Sequence, residues 1–375
     1  MKSIGRVTVD DIRSSYSAAK PGRRSLLRFA VAGLTVPLGG MAPAPWKLRP
    51  SSQLNAIDHP PICHVAADAS AVAPGAQPRE IKLCWSANAI CHTGIAAADQ
   101  LGYFARHNIK VERINFSGAS DQLLELLASG KADAGVGMAL GWLKPLEQGF
   151  DVKLTAALHG GCIRLLTSQQ SGITSVADLK GKAVGTFNMA SPDRTFISIV
   201  AAKNGIDPLR DIDWRIYPAD LLGVALQKGE IQAFSSSDPI GSIVRDRDHL
   251  IEVTNNLSGE FANRACCVLG MRASLVRDDR PLAAAVTAAL MEAQEWVAEN
   301  PDDAATIFAS YNKIAPAAQM AAMLRSHTHH HHPVDGALKQ EIALYAQDMK
   351  QAGVFKQSTD PAQFSERVCV DVLAT

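Results

Sequence analysis

The sequence predicts an α/β protein of two lobes built in series, completed by a late strand and a tail of helices. Three observations carry this. Short β-rich runs alternate with helical periods from Arg79 to Leu158. The pattern restarts after a polar seam, Ser168-Gln-Gln-Ser-Gly172. Beyond one last strand-like run, Cys266-Cys-Val-Leu-Gly270, every segment reads as helix. Strand–helix–strand alternation over connections this short implies parallel sheets covered by helices.

In chain order, residues 81–85 read as a strand and 92–107 as a helix, with Ile95, Ala98, Leu101 and Phe104 on one stripe. Asn108 stands where a left-handed C-terminal cap is wanted. Residues 110–116 form the next strand; Ser117-Gly118-Ala119-Ser120 opens a helix whose Leu123, Leu124 and Leu127 face inward and which Gly130 ends. A third strand at 134–138, a helix at 140–148 and a fourth strand at 152–158 complete the first unit. The second unit repeats the alternation, with strands at 182–187, 213–217, 231–235 and 250–254. Its helices fall at 193–204, 219–228 and 240–246. The helical tail comprises 281–299, 301–311, 316–326, 335–352 and 360–373. This layout suits a clamshell. The late strand returns to the first lobe, leaving crossings near 168–175 and 258–266 as a hinge, so the predicted lobes are 79–170 with 262–375, and 171–261.

Composition sets the class. Of 375 residues, 47% are hydrophobic and 20% charged, which excludes a disordered chain. Equal counts of 37 basic and 37 acidic residues argue against nucleic acid as a partner, because its backbone calls for a basic face. The balance hides a split, since residues 1–78 hold nine Lys/Arg against four Asp/Glu and nine of the 19 prolines. Within this leader, Gly22-Arg23-Arg24-Ser25 precedes an apolar stretch from Phe29 to Met41 and small residues at Ala42-Pro43-Ala44. Those are the three parts of an export signal, and the paired arginines resemble the twin-arginine type. Residues 1–45 are thus expected to be an export signal and 46–78 a linker, placing the mature protein in the periplasm.

Several stretches of the body look familiar. Ala97-Ala-Asp-Gln-Leu-Gly-Tyr-Phe104, followed by Ile109-Lys-Val-Glu112, resembles the opening of substrate-binding proteins of nitrate/sulfonate/taurine-type ABC importers. So does Leu126-Leu-Ala-Ser-Gly-Lys-Ala-Asp-Ala134. Asp178-Leu-Lys-Gly-Lys-Ala-Val-Gly185 and Leu226-Gln-Lys-Gly-Glu-Ile-Gln-Ala233 are similar to strands of their second lobe. The segment from Cys266-Cys267 to Asn300-Pro301 looks like the return segment of this group and of its thiamine-pyrimidine synthesis relatives. The resemblance spans nearly all of 79–375 and implies the type II periplasmic-binding-protein fold, a ligand held between lobes, and delivery to an ABC permease. A monomer without a cofactor is expected.

In open α/β sheets, ligands gather beyond the carboxyl ends of strands, where helix N-termini present free N–H groups. The corresponding residues here are Trp85, Ser86 and Asn88, then Ser117 and Gly118, Met138 and His159, with Asn188, Ser191 and Asp238 from the second lobe. They are rich in groups that let the backbone approach and donate hydrogen bonds, which fits a small polar or anionic molecule. Trp85 is expected to be a stacking wall. Ser117 and Ser191 have a second reading as helix caps.

Soft ligands crowd the same loops: Cys84, Cys91-His92, His159, Cys162 and Cys266-Cys267. Thiolate with imidazole suits zinc or copper, whereas free cysteine is also commonly buried as a small hydrophobe, and a disulfide such as Cys91–Cys162 is a further reading. His327, His329, His330, His331 and His332 form a second candidate metal-binding run, ended by Pro333. The alternatives to a receptor are therefore a metal- or cofactor-binding protein on the same fold and a thiamine-pyrimidine synthesis-like enzyme. Gly135-Val-Gly-Met-Ala-Leu-Gly141 misses the dinucleotide spacing by one residue, and no P-loop, GxSxG elbow or HExxH motif is present. The reading is not an enzyme.

Overall fold

The computed structural model describes residues 77–116 and 120–374. The expected export signal, residues 46–76 of the expected linker, Ser117 and Gly118 lie outside the described residues. Ten strands are described: β1 (Arg79–Trp85), β2 (Ile109–Asn115), β3 (Ala134–Met138), β4 (Val152–His159) and β5 (Ile163–Thr167), then β6 (Ala183–Thr186), β7 (Asp213–Ile216), β8 (Ala233–Ser237), β9 (Ile251–Asn255) and β10 (Cys267–Arg272). They form two five-stranded sheets, ordered β2-β1-β3-β10-β4 and β7-β6-β8-β5-β9. The two orders are the same pattern. In the first sheet, β10 runs antiparallel between β3 and β4; in the second, β5 runs antiparallel between β8 and β9. Each lobe is thus completed by a strand arriving across the hinge.

Strand β5 corrects the expected hinge. The first crossing lies at residues 160–162, ahead of the polar seam, and 163–167 belongs to the second sheet. Arg164 in the middle of Ile-Arg-Leu-Leu-Thr hides the strand pattern, because a charge at a wholly buried position breaks any apolar run. The second crossing occupies 256–266, between β9 and β10.

Local signals explain most boundaries. Asn108 adopts the left-handed conformation at φ 55°, as its capping position requires. The helices Arg280–Glu299 and Pro361–Val368 each start with proline in the first turn behind an aspartate cap. Asp279 accepts from Leu282 N at 3.3 Å and Asp360 from Gln363 N at 2.8 Å. The expected helix 92–107 is interrupted: Thr93–Gln100 and Tyr103–Arg106 are separated by Gly102 at φ 76°. The expected helix 360–373 stops at Val368 because the chain leaves to bridge the sheet edge, with Val370 N donating to Leu154 O at 2.9 Å. Arg280–Glu299 packs on Thr93–Gln100 and β4, so the helical tail covers the first sheet. Among the described residues, no helix is long and apolar enough to cross a membrane.

The two crossings are clamped to each other. Ile163 N donates to Asn256 Oδ1 at 2.8 Å, and Asn256 Nδ2 donates back to Gly161 O at 3.1 Å. Gly160 pairs through its backbone with Thr328, while Cys266 N donates to His159 O at 2.8 Å. A Cβ on Gly160 would lie 2.7 Å from Arg264 O and 2.8 Å from Thr328 Cβ, so three chain segments meet where only hydrogen fits. Gly160→Ala is therefore expected to cost about 1–3 kcal/mol, as overpacking does. A lower urea midpoint at unchanged m-value would show it; an unchanged midpoint would mean that the crossings yield freely.

Candidate functional site

Loops from both sheets meet around a cavity of about 210 Å³. From the first lobe come Asn88, Ala89 and Cys91, just past β1, and Met138 at the end of β3. The second lobe contributes Phe187, Asn188, Ser191, Pro192 and Asp193 after β6, Ala219 and Leu222 after β7, and 235–240 at the end of β8. All these segments follow carboxyl ends of strands, which is where this class of sheet binds ligands. A second hollow, lined by Pro78, Phe104, Asn108 and Val111, lies at the opposite ends of β1 and β2.

The wall of the cavity has a definite polarity. The helix Pro192–Lys203 points its N-terminus at it, with Ser191 accepting from Arg194 N at 3.4 Å and lying 2.9 Å from Thr186 Oγ1. Asp193, in the first turn, is buried and its Oδ2 has no hydrogen-bond partner; burial pushes its carboxyl up from the usual range. Asp238 is buried as well but fully engaged, since Arg164 grips both oxygens at 3.1 and 2.8 Å and Ser242 donates from backbone and hydroxyl. No Lys, Arg or His lines the cavity among the described residues.

Directly behind Cys91 sits a cluster of soft ligands. Sheet register builds half of it: Cys267, the first residue of β10, stands opposite Met138 on one side and His159 on the other. Cys91 arrives from the short helical turn Ile90–His92, and Cys162 and Cys266 from the two crossings. The ligand atoms of Cys91, His159 and Cys267 all lie within 4.8 Å of one another. Cys162 Sγ is 3.4 Å from Cys266 Sγ and 3.8 Å from Met138 Sδ. All four cysteines are free and buried. Hydrogen bonds from Cys162 and Cys267 hold the Cys91 thiol well below its ordinary value, while burial pushes Cys267 up. Burial alone would lower His159, but the neighbouring Cys91 outweighs it and raises the imidazole. Cys162 has φ 85°, a conformation that costs a non-glycine residue strain.

A family model described as NMT1/THI5 like matches residues 89–304, more than half of the sequence. The chain belongs to the NMT1/THI5-like family. It is similar in structure to the periplasmic aliphatic sulphonate binding protein SsuA from Escherichia coli, with 18% identity and a TM-score of 0.64 over 77% of this chain and 92% of that one. The alkanesulfonate-binding protein SsuA from Xanthomonas axonopodis pv. citri, bound to MOPS, gives 20% and 0.63 over 77% and 98%. The periplasmic nitrate-binding protein NrtA from Synechocystis PCC 6803 gives 15% and 0.65 over 78% and 86%. No curated protein matches the sequence. At these identities the likeness shows the fold, the type II periplasmic-binding-protein architecture of two α/β lobes, a two-crossing hinge and C-terminal helices.

In this family member, Asn88, Met138, Asn188, Ser191 and Asp238 line the cavity. Ser191 is at once a cap and a wall residue. Three other expected residues stand elsewhere. Trp85 is buried against Tyr311, ring centroids 5.0 Å apart at 87°, with the Arg113 guanidinium 5.0 Å from its ring, and does not line the cavity. Ser86 accepts from Asn88 N at 3.2 Å and shapes the turn. His159 belongs to the cysteine cluster. Of the other soft ligands, Cys84 lies inside the first sheet, its thiol pushed up to about 11 by burial. His92 is a satisfied core residue, accepting from Ser86 N at 2.5 Å and donating to Val136 O at 2.9 Å.

The histidine run is dispersed among separate partners. His330 and His332 share Glu295, at 2.6 and 3.0 Å, and His331 pairs with Glu341. His329 donates to Leu324 O at 2.5 Å and is pushed down to about 4 by burial. His327 stacks on His159 at 4.9 Å, with interplanar angle 4°, and its Nε2 lies 3.9 Å from Asp238 Oδ2. Sequence reasoning placed the loops 188–191 and 235–238 at the cleft but missed Asp193, since an acid in a first helical turn reads as an ordinary dipole partner.

Proposed function

We propose that this protein is an exported solute receptor, which captures a small polar ligand between its lobes in the periplasm and presents it, as a monomer, to the permease of an ABC importer. The observation that carries the reading is the cavity lined by strand-end loops of both lobes. A ligand touching both walls stabilises the closed form over the open one, and that difference drives closure. The solved binding proteins that share the fold support the role.

The wall narrows the ligand class. A buried carboxylate oxygen without a partner favours a ligand that brings a donor, an amine, amide or hydroxyl, to Asp193. With no cationic side chain in the described wall, an acidic group on the same ligand meets backbone amides near Ser191 and the hydroxyls of 235–237. The test is a melting-shift screen of nitrate, bicarbonate, alkyl sulfonates, taurine, aromatic carboxylates and pyrimidines, repeated on Asp193→Asn. Donor-bearing compounds should give the largest shifts, and the variant should weaken the best one about 10- to 100-fold, the worth of a hydrogen bond to a charged group. Preferred binding of nitrate or bicarbonate, insensitive to Asp193→Asn, would contradict the assignment.

A further inference from the structure

We propose that Cys91, His159 and Cys267, completed by Cys162 or Cys266, form a binding site for one thiophilic closed-shell cation, zinc(II) or copper(I), at the hinge. The inference goes beyond the receptor reading and stands independently of it. Burial as a small hydrophobe accounts for any one of these cysteines. It does not account for four thiols from three chain segments packed around an imidazole.

The imidazole supplies the second, separate observation. Nδ1 of His159 donates to Gly160 O at 3.2 Å, which fixes the proton on that nitrogen and leaves Nε2 as a lone pair. His159 is 1% exposed and its Nε2 has no hydrogen-bond partner, an orphaned acceptor facing thiols. Zinc bonds of about 2.3 Å to sulfur and 2.0–2.1 Å to nitrogen put tetrahedral ligands about 3.5–3.8 Å apart. Ligand atoms already within 4.8 Å need only a small side-chain contraction to reach that. Sulfur and imidazole donors favour zinc(II) and copper(I) over calcium, magnesium or manganese, which want oxygen. The nearby carboxylate of Asp238 is occupied by Arg164, so it does not change the donor class. Cys162 and Cys266 stand on the two crossings, so an ion held with either of them bridges hinge and first lobe.

The experiment uses the full chain, expressed without an affinity tag and reduced before use. His329→Asn, His330→Asn and His331→Asn are combined in the background to remove the competing run. Zinc(II) is titrated against a chromophoric chelator and copper(I) against bicinchoninate, with cobalt(II) as a spectroscopic probe. The expected result is one equivalent of zinc or copper per chain and a thiolate-to-cobalt charge-transfer band. Cys91→Ser with Cys267→Ser should weaken binding by more than the roughly 100-fold that disturbing an outer-shell partner costs. His159→Gln gives the same answer should the double variant fail to fold. Binding confined to the intact histidine run, no stoichiometric binding, or affinity unchanged in both variants would overturn the proposal. Metal retention by a chain that takes no organic solute would remove the receptor reading and leave this one standing.

Discussion

Asp238→Ala should destabilise the folded protein by about 3–5 kcal/mol, the usual result of stranding one member of a buried ion pair. The side chains of Arg164 and Asp238 are 5% and 0% exposed, and their contact is bidentate. Removing the carboxylate leaves the guanidinium with only Glu252, which it shares with Arg245. Ser242 at the start of the following helix loses its acceptor too. Burial works against the Asp238 carboxylate, yet His327 and Arg164 outweigh it and hold its pKa well below the usual range. A depressed carboxylate contributes stability that is complete above the unfolded value of about 4 and fades as pH falls toward the folded one. Urea midpoints for wild type and variant should therefore differ most near neutral pH and converge in acid. A constant gap down to pH ~3 would assign the loss to packing and hydrogen bonding instead of charge.

Trp85→Ala should cost a similar amount, about 3–5 kcal/mol, as large-to-small core changes do. Trp85 forms an edge contact with Tyr311, and Arg113 stacks near both rings, so the helical tail is fastened to β1 through this group. The melting temperature should fall sharply, while any ligand-induced shift survives in Trp85→Phe. Full thermal stability with loss of the ligand response would return Trp85 to the pocket wall.

The difference between these residues shows what the sequence made legible. Periodicity located the alternating strands and helices because each buries a patterned face, and the late strand at 266–270 was visible as an apolar run beyond the second lobe. Strand β5 was not, since Arg164 is tolerated inside it only by Asp238 and Glu252, which lie 74 and 88 residues away in sequence. The cleft loops were legible from the rule that strand ends gather ligands. Which side chain of a loop turns inward was not: Trp85 and Asn88 are three residues apart, yet one packs beneath the helical tail and the other lines the cavity. The cysteines were visible as a group, but their convergence depends on β10 inserting between β3 and β4 in one particular register.

Interlobe distance is the most direct measure of the receptor mechanism. Spin labels attached through non-cysteine chemistry at the exposed Lys131 and Lys228 report on the first and second lobe respectively. Pulsed dipolar spectroscopy would compare the free chain with the chain saturated by the compound that gives the largest melting shift. A broad or two-peaked distribution that collapses to its shorter distance on binding is the predicted result. One narrow distance, unchanged by every stabilising compound, would contradict it.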